Sequence, residues 1–107
     1  MANRLSSNPV YFDQFNADVT LAERGVPFIV KKIRLLSAGN GDYFQLEDLA
    51  GNILFKMVQT GAADVVEADF GDKGFDFQQG DGVVIDVSDC TNITGTNGTD
   101  AVWIYLV

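Results

Sequence analysis

The stretch Ala101-Val102-Trp103-Ile104-Tyr105-Leu106-Val107 is an unbroken run of small, β-branched, aromatic and aliphatic side chains. Such a run suits a pleated, half-buried surface and reads as a strand paired inside a sheet. Chain ends fray unless something ties them down. The expectation is therefore that this end is locked into the fold and that the domain is finished at its last residue. The other end has the opposite character. Met1-Ala-Asn-Arg-Leu-Ser-Ser-Asn-Pro9 is polar and turn-rich, with neither strand nor helix period. The contrast predicts a closed β-domain over residues 10–107 carrying a flexible arm at residues 1–9.

Working back from the last strand, candidate strands follow one another with turn chemistry between them. They fall at residues 10–15, 18–22, 28–37, 42–49, 51–59, 64–70, 75–77 and 83–88. Residues 38–41 (Ala-Gly-Asn-Gly) and 71–74 (Gly-Asp-Lys-Gly) are turn signals, because Gly and Asn accept positive φ at low cost. Residues 42–59 read as a hairpin bent near Ala50-Gly51-Asn52. Alternation sets Ile53, Phe55 and Met57 against Leu54, Lys56 and Val58. It likewise sets Val66, Ala68 and Phe70 against Val65, Glu67 and Asp69, and Val83, Ile85 and Val87 against Val84, Asp86 and Ser88. Residues 17–25 are the single place where a helical turn or two is conceivable. Short strands at roughly ten-residue spacing predict an all-β, antiparallel β-sandwich of jelly-roll type with about eight strands. Local patterns leave jelly-roll and immunoglobulin-like strand orders both open.

A chain of 107 residues fits one domain. Nearly half its residues are apolar, enough for a core without staples. The single cysteine, Cys90, rules out an internal disulfide and reads as a small packing residue. With 15 acidic and 7 basic side chains the net charge is −8. That disfavours nucleic acid, which needs a basic face, and anionic membranes for the same reason. No segment approaches the ~18 consecutive apolar residues of a membrane span. No apolar run follows Arg4, so no signal peptide is expected and synthesis in a host cytoplasm is.

The absence of histidine removes the commonest general base and metal ligand. Ser6, Ser7, Ser37 and Ser88 have no histidine to activate them, so the chain does not read as an enzyme. No cofactor is expected. Asp69, Asp72, Asp76 and Asp81 supply oxygens on neighbouring Gly-rich turns and are the candidate calcium ligands. The competing reading, solvated turn aspartates, is favoured, since the EF-hand spacing and its bidentate Glu are missing. Asp69-Phe70-Gly71 and the sequon-like Asn92-Ile93-Thr94 and Asn97-Gly98-Thr99 are coincidental or mark a polar loop. Lys31, Lys32 and Arg34 gather basic charge on one strand. They read either as a patch complementary to an acidic partner or as the charge guard of an edge strand. Trp103 and Tyr105 share one face of the last strand and are expected in the core; exposed, they would be interface anchors.

Lys31-Lys32-Ile33-Arg34-Leu35, then Gly41-Asp42-Tyr43-Phe44-Gln45-Leu46-Glu47-Asp48, Gly51-Asn52-Ile53-Leu54-Phe55-Lys56 and a closing Val102-Trp103-Ile104-Tyr105-Leu106 together resemble small β-sandwich virion proteins of tailed phages. Some of these are capsid decoration (cement) proteins, often trimers. The resemblance covers about half the chain, a span set by the strand pattern. It implies a homotrimer on the major capsid protein lattice, located at the capsid surface of the virion, bridging capsid subunits without a cofactor. The interface residues expected on this view are Asn3, Arg4, Leu5, Pro9, Lys31, Lys32 and Arg34. The alternatives are a carbohydrate- or receptor-binding module of a tail tip or fibre, and a tail or neck component.

Overall fold

The computed structural model describes residues 4–13, 17–37, 39, 41–61, 65–87, 90 and 100–107. The strands among them are β1 (Val10–Phe12), β2 (Val19–Ala22), β3 (Ile29–Leu36), β4 (Tyr43–Glu47), β5 (Ile53–Val58), β6 (Val65–Asp69), β7 (Phe75–Asp76), β8 (Val83–Ile85) and β9 (Ala101–Leu106). The described part of residues 17–25 holds β2 rather than a helical turn. Among the described residues no helix is long and apolar enough to cross a membrane. Residues 91–99 and Asn3 lie outside the described residues.

Every ladder is antiparallel and the pairs are nested. β1 pairs β9, β2 pairs β8, β3 pairs β6 and β7, and β4 pairs β5. The chain is thus one long hairpin whose tip is the β4–β5 turn. Rolling that hairpin sends alternate pairs to alternate sheets and brings β9 against β3 and β8 against β4. The result is one sheet in the order β1-β9-β3-β6, with β7 also on β3, and a second in the order β2-β8-β4-β5. This is the jelly-roll order. β9 sits inside its sheet with a neighbour on each side, as its composition demands.

Register explains what is buried. Val10, Ile104, Ile33 and Ala68 form one row across the first sheet, and Phe12, Val102, Leu35 and Val66 form the next inward-facing row. Phe12, Ile33, Leu35, Val102 and Ile104 are fully buried. Phe44, Leu46, Val83 and Ile85 complete the core from the second sheet. Between the free edges β5 and β6–β7, Phe55, Phe70 and Phe77 close the sandwich. Phe70 meets Phe77 edge-on at 5.3 Å between ring centroids, the geometry that a ring quadrupole favours.

Three expectations are corrected. β3 is no edge strand, since β9 lies on one side and β6 with β7 on the other. Its cations therefore do not guard an edge. Trp103 and Tyr105 alternate with the buried Val102 and Ile104 and stand half-buried on the outer face, not in the core. In β5 the alternation fails at its start. Leu46 opposes Phe55 but Glu47 opposes Ile53, so Leu54 is an extra residue that packs inward while Ile53 stays 59% exposed. A β-bulge of this kind shifts the period by one.

Candidate functional site

The two inward rows of the first sheet leave two outward ones. Arg4 bridges Tyr11 across an isolated antiparallel pairing, and Tyr11 opposes Trp103, Trp103 opposes Arg34, and Arg34 opposes Glu67. Arg4–Tyr11–Trp103–Arg34–Glu67 is therefore one row running perpendicular to the strands. Beside it runs Tyr105–Lys32–Asp69. Strands lie about 4.8 Å apart, so the longer row spans about 19 Å.

Several side chains in these rows lie within interaction distance of one another. The Arg4 guanidinium sits 4.7 Å from the centre of the Tyr11 ring. Tyr11 and Trp103 pack with their centroids 5.6 Å apart and their planes tilted by 51°. Lys32 Nζ lies 5.7 Å from the Tyr105 ring centre. Cations are drawn to ring faces by the quadrupole. Arg34 Nε approaches Glu67 Oε1 at 3.1 Å, and Lys32 Nζ reaches the same oxygen at 3.9 Å. Burial raises the Tyr11 pKa, and a hydrogen bond to the Asp13 carboxylate with that group's charge adds to the rise, against the opposing pull of Arg4. The Tyr11 phenol is thus held neutral well into alkaline solution.

The Arg4–Pro9 segment, the described part of the expected arm, is laid back on the sheet. Arg4 N–H donates to the Tyr11 carbonyl at 2.7 Å, and Tyr11 N–H donates to the Arg4 carbonyl at 2.9 Å. The Asn8 amide grips β9 twice. Its Nδ2 donates to the Leu106 carbonyl at 3.0 Å, and its Oδ1 accepts the Leu106 N–H at 2.8 Å. These contacts add a cation to the edge of the sheet. Of the residues expected at the interface, Arg4, Lys32 and Arg34 come together here. Lys31 is exposed at the register shift beside Lys32, and Leu5 is exposed on the arm. Pro9 is half-buried at the start of β1. Three of the chain's seven cations thus stand in these rows beside two carboxylates, Glu67 and Asp69, on a molecule of net charge −8. Tyr11 and Glu67 were missed by sequence reading. Tyr11 was findable, because it alternates with two core residues.

The four candidate calcium ligands are not brought together. Asp69 Oδ1 accepts the Gly71 N–H, Asp76 Oδ1 accepts those of Phe28 and Gln78, and Asp81 lies 3.7 Å from Arg24. Among the described residues no group of three or more acidic or cysteine side chains is placed to hold a metal. Asp69 and Asp76 cap their own turns, as turn aspartates do. Cys90 is buried, with Sγ 3.6 Å from the Asp86 carbonyl. A groove of about 270 Å³ opens between β2, β8 and the β4–β5 turn, its lining including Asp18, Thr20, Glu47, Asp48, Val84 and Asp86.

The outer rows set aromatic rings and cationic donors side by side, which is chemistry for holding a partner. Comparison of the chain with protein-family models, with curated proteins and with solved structures finds no match in any of the three.

Proposed function

We propose that this protein is a phage virion structural subunit of the capsid decoration type, docking on the major capsid protein lattice through the outer face of its β1-β9-β3-β6 sheet. The observation that carries the reading is the Arg4–Tyr11–Trp103–Arg34 row, in which aromatics and arginines stand beside one another at an accessible sheet face. Tyr, Trp and Arg dominate the energetic centres of protein interfaces. Jelly rolls serve viral shells and lectins alike, so the face carries the reading and the fold does not. The strong negative charge keeps an abundant subunit soluble before assembly. Burying the face between shell subunits then stabilises the head by mass action. The subunit works as a homotrimer on the virion surface.

The adjacent Tyr11 and Trp103 rings also favour a second reading, a carbohydrate-binding module of a tail tip or fibre, because neighbouring rings at an accessible face offer apolar surface beside polar groups. Cosedimentation with empty capsids, set against binding to a glycan array, separates the two. The decoration reading expects capsid binding that Trp103→Ala removes. Glycan binding without capsid binding overturns it.

A further inference from the structure

We infer that the Arg4–Tyr11–Trp103–Arg34 row binds an extended acidic segment of a partner polypeptide, and that Glu67 holds the carboxylate position at one end of the row until that segment arrives. The inference rests on the reading of this face as the docking surface and names the chemistry that the surface recognises.

One oxygen of Glu67 lies between two cations, 3.1 Å from Arg34 Nε and 3.9 Å from Lys32 Nζ. That geometry marks an anion position. Its present occupant is replaceable, because all three side chains are more than a third exposed and exposed ion pairs are weak. Arg34 is a planar fork suited to carboxylates. A third cation, Arg4, stands three strand spacings from Arg34, about 14 Å. Between them lie the rings of Tyr11 and Trp103. An extended chain advances about 3.3 Å per residue and presents alternate side chains to one face. Two acidic residues four positions apart therefore span about 13 Å and reach both cations, while the residue midway between them lies over the rings. The matching segment is acidic–x–apolar–x–acidic, laid across the strands. Charge complementarity selects it, since Arg4, Lys32 and Arg34 outnumber Glu67 and Asp69 in these rows of a protein of net charge −8.

Trp103 is the only tryptophan, so its fluorescence reports this face alone. The test titrates the full chain with a capped heptapeptide bearing two glutamates four positions apart and a leucine midway. The expected result is saturable binding with a dissociation constant on the order of 0.1–1 mM, weakened by raising salt. Glu67→Gln should tighten it about two- to fivefold, because the internal competitor has gone, and Arg34→Gln should weaken it by at least that factor. Arg4→Gln, at an exposed arm residue, gives an independent loss of binding should Arg34→Gln disturb the sheet. Equal binding of the glutamine version of the peptide, weaker binding by Glu67→Gln, or a response to neutral glycans alone overturns the inference. Capsid binding without peptide binding removes this inference and leaves the decoration reading intact. Peptide binding without capsid binding does the reverse.

Discussion

Arg34 stands directly opposite Trp103 on the outer face of the first sheet, while the adjacent pair along the same ladder, Leu35 and Val102, is fully buried. One step of alternation thus separates the residues that hold the sandwich together from those that present it. The two sets should respond to mutation in different ways.

Ile104→Ala opens a cavity in a fully buried row and is expected to cost about 2–5 kcal/mol of stability. Trp103→Ala, one residue away, loses a ring contact on the outer face and should cost about 1–2 kcal/mol while abolishing binding at that face. Urea denaturation followed by far-ultraviolet circular dichroism measures both. An equal stability loss for the two variants would contradict the assignment of faces.

Asn8 joins the arm to β9 through two hydrogen bonds to one residue. Asn8→Ala should cost about 1 kcal/mol, since the bonds are exposed, and should release Arg4 from Tyr11. Hydrogen exchange at the Leu106 amide reports the change directly, because Asn8 Oδ1 is its acceptor; faster exchange is expected. Deleting residues 1–8 should leave the core rows intact and weaken capsid binding. Unchanged capsid occupancy would remove the arm from the interface.

Gln78 uses both halves of its amide. Nε2 donates to the carbonyls of Glu23 and Val26 at 2.8 and 2.7 Å, and Oε1 accepts from the N–H groups of Gly80 and Gly82 at 3.0 and 2.8 Å. A carboxylate cannot donate. Gln78→Glu should therefore turn two bonds into oxygen–oxygen repulsion and cost about 1–3 kcal/mol at neutral pH, with part of the loss recovered when the new carboxyl protonates. Thermal melts at neutral and acidic pH test this.

Asp48 organises the β4–β5 turn. Its carboxylate accepts from the Asn52 amide and from the backbone N–H groups of Asn52 and Ala50. The Asn52 side-chain bond first, then these backbone bonds, hold its pKa below the ordinary 3.8. The unfolded chain therefore takes up this proton more readily than the folded one. The contribution to stability is complete above the unfolded value and is lost as pH falls through the folded one. The urea midpoint should decline between about pH 5 and about pH 2, and Asp48→Asn should flatten part of that decline. A decline of identical size in the variant would exclude Asp48 as a contributor.

Local patterning along the chain set the strands and most of their alternation. Val66, Ala68 and Phe70, and likewise Val83, Ile85 and Val87, face inward as their period of two requires, because side chains on a strand must point to opposite faces whatever the strand pairs with. It also placed Trp103 and Tyr105 together on one side of β9. The expected side was the core, and the structure turns it outward. Both faces of that strand are apolar enough to be buried, and only packing of the second sheet against Val102 and Ile104 decides between them. Strand order was decided in the same way. Nested pairing of β1 with β9 and β2 with β8 joins residues distant in sequence, and local patterns carry no record of such long-range contacts. The meeting of Tyr11 with Trp103 follows from the β1–β9 ladder, and that of Glu67 with Arg34 from the β3–β6 ladder. Arg4, Lys32, Arg34 and Trp103 were singled out from the chain, and the assembly of the outer row across four strands and the arm came only with the rolled hairpin.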